Sequence, residues 1–341
     1  MNHRLSNPIL VVLCLCLGLG VLLPGALAVS TRFFLLDDAE SLSEGEMEGA
    51  AVNSDGSVTA GVETRRLALE KVPVAFSLLR GQGDTAYVGT GNKGEIYRLK
   101  GNELRSFVRT DELLVASLAF AHGNKLFAGT LPKGKIFVVD DKGKAKVFAE
   151  PEGAEHVWSL VYDAKRKLLF AATGPAGKIF AIDARGKAEL YYDADAAHVM
   201  SLALDRDGTL YAGTSDEALL LQLNGPGRAE VVHDFEGDEV TAVAVNDGRV
   251  AAAVNDFPRP RTPPERKSKK NDKDKDDDDK NRSTPKRSTP PKLPRSGKGE
   301  LWVVESSGRA EQLFKTDKEH LTAVQWKDDD SIYVASGREG R

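Results

Sequence analysis

Imidazoles and carboxylates are the side chains of this sequence best suited to chemistry, and several recur at one place in a repeated phrase. His156, His198 and His320 each open a short apolar run: "HVWSLVY", "HVMSLAL" and "HLTAVQW". Val74, Leu114 and Glu239 hold the equivalent place in "VAFSLL", "LVASLAF" and "EVTAVAV". Acids cluster beside it: Glu155, Glu319, Asp238, and Asp111 with Glu112 ahead of Leu114. A ring of imidazoles and carboxylates suits a divalent metal or a cationic ligand. A histidine at such a junction also has a plainer use, hydrogen bonding within its own unit. His156, His198, His320, Glu155, Glu239 and Glu319 are thus the candidate ligand or metal residues. No cofactor is expected, with a divalent metal as the alternative.

Other chemistry is harder to find. Thr90, Thr130, Thr173 and Thr214 recur at another shared position, but four hydroxyls without a paired base read as turn-capping groups. Asp140, Asp183 and Asp205 follow strands or enter turns, where aspartate serves the local backbone. There is no glycine-rich phosphate loop, zinc motif, serine elbow or aromatic-interleaved basic surface for nucleic acid. No catalytic residue is assigned, and the reading leans away from an enzyme.

The first 28 residues read as a secretory signal peptide. Arg4 is the basic start, Ile9 to Leu23 is an unbroken apolar run, and Pro24 precedes Ala26-Leu27-Ala28. A membrane anchor is the rival, since this stretch is about long enough to span a bilayer. The only two cysteines, Cys14 and Cys16, lie inside it, so the mature chain would carry no disulfide and no thiolate. The expected location is periplasmic or secreted, with no stable membrane insertion after cleavage.

The elements that position the histidines come from a repeat. Taking the small residue of each apolar run as marker gives Ser77, Ser117, Ser159, Ser201, Ala242 and Ala323. The first four steps are 40, 42, 42 and 41 residues and the last is 81, a periodicity that signals a repeat architecture. Each unit continues with a second run ending in Gly-Thr or a near relative, such as Gly129-Thr130, and a glycine turn, such as Lys133-Gly134. A third alternating run ("EIYRL", "KIFVV", "KIFAI", "ELWVV") and a more polar fourth follow. Four short antiparallel strands per unit make a blade of a β-propeller. The fold class is all-β, with five full blades and a partial sixth across 73–341, units starting near 74, 114, 156, 198, 239 and 320.

"AGTLPKGKIF", "AATGPAGKIFAID" and "YAGTSD" resemble exported bacterial β-propeller proteins of the WD40-like, NHL-like and quinoprotein-like superfamily. No Trp-Asp dipeptide ends a third strand, and Trp158, Trp302 and Trp326 stand isolated, without the docking motif of cofactor-binding quinoproteins. The resemblance implies a fold and no activity. The expected function is a non-enzymatic platform for a protein or glycan of the cell envelope. The alternative is a metal-dependent propeller lyase or hydrolase with the His/carboxylate rim at the channel entry.

Two segments fall outside the repeat. Residues 257–298 hold 15 Lys or Arg against 7 Asp or Glu, eight of the fifteen prolines, and only Phe257 and Leu293 as large apolar residues. Such a stretch is expected to be a disordered surface insertion in blade five. The segment 29–72 could supply closing strands for blade six, from Arg32 to Leu36 and Ser57 to Leu69. The competing expectation is a blade that stops half-built.

Overall fold

The computed structural model describes residues 48–53, 55–61, 67–69, 72–91, 93–121, 125–257 and 297–337. The expected signal peptide, Arg32 to Leu36 and nearly all of the insertion lie outside these residues. Strands β1 (Ala50–Val52) and β2 (Val58–Ala60) pair with one another in a hairpin of their own.

From Ala75 onward the chain forms five four-stranded sheets and one hairpin. Blade one comprises β3 (Ala75–Arg80), β4 (Thr85–Thr90), β5 (Glu95–Lys100) and β6 (Glu103–Arg109). Blade two is β7 (Leu114–Ala121), β8 (Lys125–Leu131), β9 (Ile136–Val139) and β10 (Ala145–Ala149). Blade three is β11 (His156–Asp163), β12 (Leu168–Gly174), β13 (Lys178–Ile182) and β14 (Ala188–Asp193). Blade four is β15 (Val199–Leu204), β16 (Leu210–Thr214), β17 (Ala218–Gly225) and β18 (Arg228–Phe235). Blade five is β19 (Glu239–Asn246), β20 (Arg249–Asp256), β21 (Lys298–Val304) and β22 (Ala310–Thr316). The hairpin β23 (Leu321–Trp326) and β24 (Ile332–Ser336) is the described part of blade six. Every blade is an antiparallel meander, and the inner strands β3, β7, β11, β15, β19 and β23 pack in succession. This is the β-propeller arrangement. Asp256 pairs with Lys298, so the insertion leaves and re-enters the blade where a hairpin turn would stand.

The core lies between blades. Val115, Val157, Val199 and Val240 on the inner strands are fully buried. Glycine on the preceding blade's second strand makes room for Val115, Val157 and Val240, and Ala172 holds that place before Val199. A Cβ on Gly89 would come within 2.8 Å of Val115, and one on Gly213 within 2.7 Å of Val240. Only glycine permits such an approach. The glycine turn before the third strand has the left-handed backbone expected of it, with φ of +56° at Gly94, +59° at Gly134 and +47° at Gly177. The recurrent threonines cap that turn: Thr90, Thr130 and Thr173 donate to the carbonyls of Glu95, Lys135 and Lys178 at 2.7, 2.8 and 2.9 Å.

Each inner strand also carries a β-bulge, which pattern reading alone did not reveal. The pairing register shifts between residues 75 and 77, 115 and 117, 157 and 159, 199 and 201, 240 and 242, and 321 and 323. The residue left out of the ladder is Phe76, Ala116, Trp158, Met200, Thr241 or Thr322. The small residue that follows serves the next blade, because Ser77 and Ser117 donate to the carbonyls of Val115 and Val157 at 3.2 and 3.1 Å. Bulges re-aim side chains, and here they free one side chain per blade near the junction that carries the histidines.

At the other end of the blades, contacts stitch successive turns. Arg166 bonds Asp163 within its blade and the Gly208 carbonyl in the next, both at 2.8 Å. Gly248 N–H reaches Asp205 at 2.8 Å, and Asn246 reaches Asp329 at 2.9 Å.

Candidate functional site

His156 opens β11 opposite Gly174, the last residue of β12. Gly174 has no side chain for a local reason: a Cβ there would collide with the imidazole of His198 from the next blade. The bulge at Trp158 completes the group. The rings of His156 and Trp158 lie 5.1 Å apart, and each lies 5.6 Å from the ring of His198. All three side chains are half-buried. The two histidines are recognisable in the sequence, where Trp158 stands isolated. Its position between an apolar residue and the small marker was visible, whereas the bulge that turns it toward His198 was not.

The chemistry of this cluster follows from one bond. Trp158 Nε1–H donates to His198 Nδ1 at 3.1 Å. An indole nitrogen only donates, so His198 Nδ1 must hold a lone pair and the neutral ring carries its proton on Nε2. Burial lowers the His198 pKa below the usual histidine value, and neighbouring His156 lowers it further. The carboxylates of Asp216 and Glu239 oppose this without overcoming it. His198 is therefore neutral at pH 7, with Nε2–H as its remaining donor. His156 Nδ1 is buried without a hydrogen-bond partner.

A second polar chain adjoins it across blades four to six. Ser215 bridges to Glu239, and Ser215 Oγ accepts from the His198 backbone N–H at 3.1 Å. Thr241, the bulge residue of blade five, donates to Glu239 at 2.6 Å and accepts from Asn255 at 2.5 Å. Asn255 is 1% exposed and takes both backbone groups of Leu321, at 2.7 and 2.8 Å. Thr241 and Asn255 were not among the sequence candidates.

His320 and Glu319 have their contacts beside blades five and six, and Glu155 precedes His156 with its side chain turned outward. His320 lies beside Phe257, ring centroids 5.9 Å apart, and Glu319 accepts from Ser336 in blade six. The Glu155 side chain is exposed. Among the described residues no group of three or more His, Cys, Asp or Glu side chains could hold a metal ion. On blade five a cleft of about 330 Å³ is lined by residues including Glu236, Asp238, Asp256, Lys298, Glu300 and Lys315. Burial works to raise the Glu300 carboxyl, but bonds from Lys315 (2.8 Å) and Trp302 (2.9 Å) outweigh it and hold the carboxyl below its ordinary value.

Comparison with solved structures bears on this arrangement. Virginiamycin B lyase from Staphylococcus aureus is similar at a TM-score of 0.54 and 10% identity, with 84% of each chain covered. The fold is a β-propeller. A streptogramin B lyase structure is similar at a TM-score of 0.56 and 10% identity, covering 84% of this propeller chain and 82% of the other. The WD40 β-propeller domain of Doa1 gives a TM-score of 0.50 and 10% identity, covering 77% and 78%. Identities this low show the propeller alone. No protein-family model and no curated protein matches the chain. Among the described residues no helix is long and apolar enough to cross a membrane.

Proposed function

We propose that the protein is an exported, non-enzymatic propeller that presents a rigid binding surface to a protein or glycan of the cell envelope. The surface is the end of the inner strands that carries His156, Trp158 and His198. One observation carries this reading: the indole–imidazole bond makes His198 a fixed hydrogen-bond donor. A general base needs an accessible lone pair, and His198 offers its only one to Trp158. A ring held in this way is set to recognise a ligand rather than to move its protons. The signal-like N-terminus supports export.

The test is retention of native envelope glycans and proteins on the immobilised full chain, compared with His198→Ala and with Arg166→Ala at the opposite end of the blades. The reading expects binding lost with His198→Ala and kept with Arg166→Ala. The reverse pattern would place the binding surface elsewhere.

The enzymatic alternative keeps one specific support, the unpartnered Nδ1 of His156. Quinupristin, bound in a solved structure of a catalytically inactive virginiamycin B lyase, is a direct probe. The platform reading expects its chromatographic retention and fragment spectrum to be unchanged after incubation with this protein. A new species that disappears in His156→Ala would favour a lyase instead.

A further inference from the structure

Resting on the platform reading, we infer that the His156–Trp158–His198 cluster is a sugar-binding site, which takes a neutral pyranose residue of a glycan. The groups present select this class of ligand. The indole of Trp158 is half-buried and rigidly held by its bond to His198, so it offers an apolar face at little entropic cost. The C–H groups of a pyranose carry slight positive charge and pack against the negative face of such a ring.

Sugar hydroxyls also both donate and accept, and the surroundings supply each complement. His198 contributes a fixed Nε2–H donor. The Glu239 carboxylate accepts one bond from Thr241 and keeps further acceptor capacity. His156 has a buried Nδ1 with no partner, and a turn of this half-buried ring toward an entering hydroxyl would supply one. A buried polar nitrogen without a partner is disfavoured, so this ring gains from a ligand that a purely structural histidine would not need.

Other ligand classes fit less well. An anion calls for lysine or arginine, yet the charged groups acting on His198 are the carboxylates Asp216 and Glu239, with His156 beside them. A metal ion calls for a third protein ligand, and no such group stands among the described residues. A neutral polyol requires neither.

The chain has three tryptophans, so replacing Trp302 and Trp326 by phenylalanine leaves Trp158 as the only reporter. This variant would be titrated with maltohexaose, cellohexaose, chitohexaose and mannohexaose while its emission is followed. The wild-type full chain would be applied in parallel to a broad glycan microarray, which keeps the test valid if the reporter variant does not fold. At least one neutral glycan should bind and perturb Trp158 emission. His198→Ala should weaken binding at least tenfold, and Trp158→Ala should abolish it. No retention of any neutral glycan on the array would overturn the inference, as would binding unchanged by Trp158→Ala. If an envelope protein binds in a His198-dependent way while no glycan does, the platform reading stands and the sugar inference falls.

Discussion

The inner strand of blade one and those of the other blades carry the same pattern and meet different fates. One residue past the small marker stands an apolar side chain in every unit: Leu78, Leu118, Leu160, Leu202, Val243 and Val324. The last five are 5–8% exposed, whereas Leu78 is 75% exposed. Phe76, the bulge residue beside it, is 51% exposed. Sequence at this position does not differ in kind; the neighbour does. Leu118 and its equivalents are covered because a preceding blade packs on that face, and β3 has no such blade among the described residues. A blade repeat buries one face only against its neighbours, so burial here belongs to the interface and not to the residue.

Leu160→Ala should destabilise by about 2–5 kcal/mol through lost burial and a residual cavity. Leu78→Ala, at the same place in blade one, should change stability by less than about 0.5 kcal/mol. Urea denaturation of the two variants measures both. A comparable loss at Leu78 would mean that something covers β3 in solution.

Next comes the far end of the blade series. Asn255→Ala should cost about 1–3 kcal/mol, because it strands the buried N–H and C=O of Leu321 that tie β23 to blade five. Hydrogen exchange should then accelerate across Leu321–Ser336 and leave blades two to four unchanged. Uniform acceleration would show that the blades unfold as one unit.

A smaller effect concerns acid. The His198 pKa is lowered in the fold by burial and by His156, against the opposing pull of Asp216 and Glu239. The unfolded chain therefore binds a proton more readily than the fold does. The His198 contribution is fully present above the ordinary histidine pKa and is lost as pH falls through the lowered folded value. Thermal unfolding should show a melting temperature that declines below about pH 6.5, the ordinary histidine value, and His198→Ala should flatten the slope. An unaltered slope would assign the acid sensitivity to other groups.

The smallest effect is expected at the insertion. Replacing residues 258–296 by a two-residue Asn-Gly turn should leave the melting temperature nearly unchanged, since Asp256 and Lys298 already pair across the gap. A large drop would mean that the segment contributes to the fold.

The sequence displayed the architecture because the repeat encodes it many times over. A glycine turn, a Gly-Thr strand end and a small marker can each be checked against several copies. The candidate site was half legible. His156 and His198 were readable as residue types at a shared position, but their closeness depends on Gly174 yielding space to the next blade's ring. Trp158 was hidden for a sharper reason: a bulge shifts register without changing the apolar pattern, so the side chain it redirects looks like any strand residue. Asn255 was invisible because its partners, Thr241 and Leu321, lie on another strand and in another blade.

Trp158 fixes His198 as a neutral donor at the end of the propeller that carries the histidines. Nitrogen-resolved NMR titration of the histidine rings tests it most directly. We expect His198 to show the Nε2–H form at pH 7, with a midpoint below 6.5 that rises when Trp158 is replaced by phenylalanine. An Nδ1–H tautomer, or a midpoint above 6.5 in the wild type, would contradict the account.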